Sequence, residues 1–150
     1  MIKVIRFSLA DLEWLQPREE EAALLKMPGF RDHLEVVVRT GGAFTAWLDG
    51  DVFAIYLHVI LWPGCAEVGL LASKLATKKK KLFVKTTRIF LETFEKSFKG
   101  LQRIQATGVI DAAHDRLFKA CGFTMECERM QKYLPNGADA RLWARIKEVA

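Results

Sequence analysis

Apolar and polar residues alternate at period two through the opening "MIKVIRF", the pattern of a strand with one buried face. Ser8 then occupies a helix N-cap position ahead of "LADLEWLQPREEEAALLK". Pro17 splits that segment into two helical pieces, because proline has no amide hydrogen and clashes with the preceding turn. After the turn-forming "MPGF", the β-branched "HLEVVVRT" predicts a strand. "AFTAWLDGDVFAIYLHVIL" predicts two strands joined at Asp49 and Gly50, a pair suited to the positive φ angles of a two-residue hairpin. Another short apolar strand runs from Ala66 to Ala72.

From Leu82 the period changes. Phe83, Phe90, Phe94 and Phe98 fall at helical spacing, with Val84 and Leu91 beside them, so this segment predicts a helix that packs one apolar face on a sheet. Gly100 ends it, "LQRIQATGVI" predicts a strand, and Asp111 caps a short helix over "AAHDRLFKACGF" that stops at Gly122. "TMECERMQKYL" and "ARLWARIKEV" predict a closing pair of strands around the turn "PNGADA". The whole reads as an α+β arrangement with a mixed sheet.

Charge changes this picture at one place. Lys78, Lys79, Lys80 and Lys81 stand before or inside the first turn of the long helix, where unpaired amides and the helix dipole disfavour cations. Two readings are open: the lysines hold an anion at the helix start, or they form a solvated basic loop screened by salt. The net charge of +5 permits an anionic partner without choosing one. Lys85 and Arg88 extend the basic array, but the helix phenylalanines belong to its packed stripe, which leaves no aromatic platform for specific nucleic-acid binding.

With 150 residues, 51% of them hydrophobic, the chain suits a single domain, residues 1–150. The start has no signal-peptide pattern and the longest apolar stretch, residues 52–62, is too short to span a bilayer, so a soluble protein is expected. Cys65, Cys121 and Cys127 have no metal-ligand spacing and suit reduced thiols in the cytoplasm. No metal, phosphate-loop or dinucleotide motif is present. His58, in an apolar strand, reads as a core histidine. His114 and Cys121 are two helical turns apart, about 10 Å along the axis, too far for a nucleophilic pair. Either residue could separately donate to a thiolate or line a cofactor slot.

The element order, with a strand running directly into a long helix and "LFKACGF" at residues 117–123 closing the later one, resembles the GNAT superfamily of acyl-CoA-dependent N-acyltransferases. The resemblance covers nearly the whole chain. It implies a three-layer fold, a central mixed and mostly antiparallel sheet flanked by helices, and transfer of an acetyl group from acetyl-CoA to a primary amine of a small molecule or protein. It further implies that amides near Leu71 and Ala72 meet the thioester and pantetheine, that Lys78–Lys81 and Leu82 meet the pyrophosphate, that Glu67 serves as base, and that Asp111 and Phe118 lie beside the cofactor. A homodimer is compatible with it.

Two departures stand out. The family's phosphate loop carries glycines where this chain has Leu82, Phe83, Val84 or Lys85, and the tyrosine that commonly protonates the departing thiolate is Phe118. Within the superfamily the chain is similar to small GNAT-like proteins of short-tailed phages. That finer likeness implies an alternative in which the fold is kept in a virion structural or host-interaction protein without catalysis.

Overall fold

The computed structural model describes residues 1–147. Seven strands form one mixed sheet: β1 (Ile2–Arg6), β2 (Gly42–Leu48), β3 (Asp51–Trp62), β4 (Cys65–Ala72), β5 (Arg103–Val109), β6 (Thr124–Met130) and β7 (Ala140–Ile146), hydrogen-bonded in the order β1-β2-β3-β4-β5-β7-β6. β1–β2, β2–β3, β5–β7 and β6–β7 pair antiparallel, whereas β4 and β5 pair parallel. The helices are α1 (Glu19–Leu25), α2 (Phe30–Thr40), α3 (Lys74–Lys78), α4 (Lys80–Ser97) and α5 (Ala112–Ala120). The last strand expected from sequence reaches residue 149, and its residues 148–149 lie outside the described residues.

The chain forms two compact units, Met1–Val59 with Val68–Lys80, and Ile60–Glu67 with the chain from Lys81 on. In the first, Leu12, Leu34, Val52, Ile55 and Leu71 are buried together, and Leu25 and Phe30 pack against them. Asp49 and Gly50 take φ angles of 50° and 90°, as the hairpin reading requires. The break at Pro17 is also present: a 3₁₀ turn over Leu9–Glu13 precedes α1, and Ser8 N–H donates to Asp11 Oδ2 at 3.1 Å at its start.

"HLEVVVRT" is helix, not strand. Leu34 and Val37 fall on one face of α2 and are buried, while Val36 turns outward and is 43% exposed. The intrinsic cost of valines in a helix is a few tenths of a kcal/mol each, less than the roughly 1.5–3 kcal/mol gained by fully burying one leucine. Behind α2 the chain passes Gly41 and Gly42. A Cβ on Gly42 would lie 2.6 Å from the His58 ring, and one on Gly41 would lie 2.0 Å from His58 O, so both positions exclude a side chain. β1 is less buried than its alternation suggested: Val4 and Ile5 are each 53% exposed, and burial begins at Phe7.

In the second unit, α5 and the later part of α4 lie over one sheet face. Phe118 of α5 stacks on Trp143 of β7, with ring centroids 5.0 Å apart, and Arg145 Nε of the same strand donates to Glu95 Oε1 of α4 at 2.6 Å. Phe83, Leu91 and Phe94 are buried along α4, as its phenylalanine spacing predicts. No helix among the described residues is long and apolar enough to cross a membrane, and none of their His, Cys, Asp or Glu side chains cluster as a metal site.

Candidate functional site

The strand-to-helix junction of the first unit is saturated internally. β4 ends at Ala72, and Ser73, fully buried, begins α3. Its Oγ donates to Phe53 O at 2.7 Å and accepts Ala76 N–H at 3.1 Å. Lys74 N–H donates to Gln16 O at 2.9 Å, beside a bridge between Pro17 and Ser73. The helix that follows the strand directly is therefore α3, starting at Lys74, rather than one opening at the lysine run.

This relocates the four lysines. Lys78 is the last residue of α3 and Lys79 its C-cap, a terminus whose carbonyls favour cations. Lys80 and Lys81 open α4, whose first turn has no acidic residue to neutralise them. All four are exposed. Leu82 is half-buried, and Phe83, at an expected glycine position, is in the core.

Leu71 and Ala72 are buried, and the Ala72 amide donates to Glu21 Oε1 of α1 at 3.3 Å. Glu21 is itself buried and held by an ion pair with Arg18. The amide expected at a thioester is thus engaged by a carboxylate that the sequence reading did not single out. The sequence shows only the local half of this arrangement, an arginine three residues before a glutamate, and not the contact with Ala72.

In the second unit, β4 residues Cys65, Ala66 and Glu67 pair with Arg103, Ile104 and Gln105 of β5. Glu67 is half-buried and accepts Gln105 Nε2 at 3.4 Å. Gln105 Oε1 in turn accepts Arg103 Nε at 3.0 Å, and Arg103 forks onto Glu126 at 3.0 and 2.6 Å. Hydrogen bonding with Arg103 holds the Glu126 carboxyl below its ordinary pKa and raises that of Arg103. The sequence reading chose Glu67 and missed the polar row beside it.

Asp111 caps α5 as expected, accepting His114 N–H at 2.7 Å, and the same Oδ1 lies 2.8 Å from His114 Nδ1. Burial alone would raise the Asp111 pKa, but the bonds from the His114 backbone and ring prevail and hold it below the ordinary value. One turn on, Phe118 meets Phe123 edge-on at 5.4 Å besides stacking on Trp143. A Cβ on Gly108 would lie 2.5 Å from the Phe118 ring, so β5 needs glycine there. Burial pushes the Cys121 thiol up to about 11 against the attraction of Arg145 and Arg88, which makes it a poor nucleophile at neutral pH. His58 is buried and stacked on Phe44, and burial lowers its pKa, so it is neutral at pH 7.

A mixed seven-stranded sheet with β4 and β5 as parallel neighbours, flanked by helices in this order, is the GNAT fold. Solved acetyltransferases share it along 95% or more of their length. The chain is similar to Ard1 from Thermoplasma volcanium at 16% identity, covering 99% of each chain with a TM-score of 0.78. It is similar to an IAA acetyltransferase from Bacillus cereus ATCC 14579 at 15% identity, covering 98% of this chain and 100% of that one with a TM-score of 0.71. It is also similar to an aminoglycoside acetyltransferase in complex with coenzyme A and kanamycin at 18% identity, covering 98% of this chain and 95% of that one with a TM-score of 0.72. No protein-family model and no curated protein sequence matches it.

Proposed function

We propose that this chain is an acyl-CoA-dependent N-acyltransferase that moves an acetyl group from acetyl-CoA to a primary amine of a small molecule or protein. The observation that carries this reading is the whole-chain likeness to acetyltransferases, one of them in complex with coenzyme A and an aminoglycoside. The residues present fit the phosphate end of that cofactor: Lys80 and Lys81 are exposed in the first turn of α4, Lys78 and Lys79 are exposed just before it, and that turn contains no acidic residue. Bound acetyl-CoA supplies the activated thioester. Glu67 accepts the proton of the attacking amine, with Gln105 fixing one of its oxygens and leaving the other for the substrate. The reduced-thiol setting of such an enzyme is the cytoplasm.

A second reading is favoured by two specific observations. Phe118 has no proton to give, and Glu21 occupies the Ala72 amide. A phage structural or host-interaction protein that keeps the GNAT fold without catalysis, located in the virion, would show both.

Calorimetry with acetyl-CoA separates the two. Binding is expected in the wild type, weakened at least tenfold and made less salt-sensitive when Lys78–Lys81 are changed to alanine. Glu67→Gln is expected to keep that affinity and lower turnover. Absence of acetyl-CoA binding at millimolar concentration would leave the non-catalytic reading.

A further inference from the structure

β3 outruns its partner. Its register with β2 ends where Gly42 meets His58, yet the strand continues to Trp62. Its other neighbour is β4, so on the β2 side residues 60–62 present backbone N–H and C=O groups that no strand among the described residues pairs with. A turn at Pro63 and Gly64 closes the overhang. Gly64 O accepts the amides of Gln102 and Arg103 at 2.9 and 3.0 Å, which holds the tip in place. Ile60, Leu61 and Trp62 are 36%, 38% and 61% exposed.

Open edges are normally guarded by charge, which keeps strands of other molecules away. The two outermost strands of this sheet follow that rule: β1 carries Lys3 and Arg6, and β6 carries Glu126, Glu128 and Arg129. Residues 60–62 carry no charge. The segment is also complementary to itself. A two-fold axis normal to a sheet keeps every side chain on its own face, so only residues an even number of positions apart can stand opposite one another. Ile60 and Trp62 meet that condition, with Leu61 between them on the other face.

We infer that residues 60–62 are a homodimer contact, in which two copies of this chain join antiparallel through this edge about an axis at Leu61. Ile60 faces Trp62 of the second copy, twice over, a β-branched and aromatic pairing of the kind that stabilises sheets. On the opposite face leucine meets leucine. Pro63 has no N–H to donate, so the ladder stops there. So short a contact buries less than the roughly 1,200 Å² at which stable interfaces begin, and the dimer is therefore weak and concentration-dependent. The contact holds under either reading of function.

The test is sedimentation equilibrium of the intact chain up to millimolar concentration, where the average mass of the wild type should rise toward twice that of one chain. Leu61→Lys sets two like charges against each other at the axis and should weaken association by about tenfold or more. Leu61→Glu should do the same. An equimolar mixture of these two variants should associate again, because opposite charges then meet at the axis. Circular dichroism checks that each variant is folded. Trp14→Ser removes another exposed apolar side chain away from this edge and should leave association unchanged. A wild type that stays monomeric would overturn the proposal and leave the edge to a foreign strand. Association that survives Leu61→Lys, or that the mixture fails to restore, would overturn it as well.

Discussion

Two helices of this chain begin the same way. Each follows a strand, and each starts with a short polar side chain that accepts the amide three residues on: Ser73 from Ala76 at 3.1 Å, and Asp111 from His114 at 2.7 Å. Ser73 is fully buried, neutral, and bonded to the Phe53 carbonyl as well. Asp111 is 45% exposed at its side chain, charged, and touches an imidazole. The comparison teaches that capping geometry alone does not mark chemistry. The buried cap has spent its hydrogen-bonding capacity on the fold, whereas the exposed one keeps a charge and an imidazole neighbour where solvent reaches.

The comparison breaks most visibly at Ser73. Ser73→Ala removes the acceptor of the Ala76 amide in a dry environment and one of the two bonds to the Phe53 carbonyl, which keeps the Ser73 backbone N–H, and should destabilise the chain by about 2 kcal/mol in denaturant unfolding. At the exposed cap, Asp111→Ala should cost about 1 kcal/mol and Asp111→Asn only a few tenths, because asparagine caps as well as aspartate. If Asp111→Ala destabilised as much as Ser73→Ala, burial would not be what separates the two caps.

The smallest effect is a pH dependence. The folded Asp111 pKa lies below its ordinary value of 3.8, so its contribution to stability is fully present above the unfolded pKa and is lost as pH falls through the folded one. Acid unfolding of Asp111→Asn should therefore lack this loss of stability below about pH 4, while Ser73→Ala should still show it. Parallel acid titrations of the three proteins resolve the difference.

The fold was legible wherever one local signal dominated. Asp49 and Gly50 specify their hairpin through backbone conformation alone, and the phenylalanine spacing specifies the packed face of α4. α2 was misread because three consecutive valines favour a strand locally, while burial of Leu34 and Val37 on one side decides for helix. Ser73 was overshadowed by the lysines five residues later, although serine followed by "KLA" is an ordinary helix start. For the candidate site, Asp111 could be read from its position, but Glu21 and the row from Glu67 to Glu126 could not. Glu21 acts across 51 positions of sequence, and the row joins residues up to 38 apart, so only tertiary structure brings them together.

Two aromatic rings in this molecule rest against backbone that carries no side chain: His58 against Gly42, and Phe118 against Gly108. In evolutionary terms each is a two-position lock. A lineage cannot add a methyl group to either glycine without first shrinking or turning the ring above it, and a smaller ring leaves a void until the glycine fills it. Substitutions at 42 and 58, and at 108 and 118, are therefore expected to arrive in pairs. A change of Phe118 to tyrosine keeps the ring that Gly108 accommodates, so it does not require the glycine to change with it.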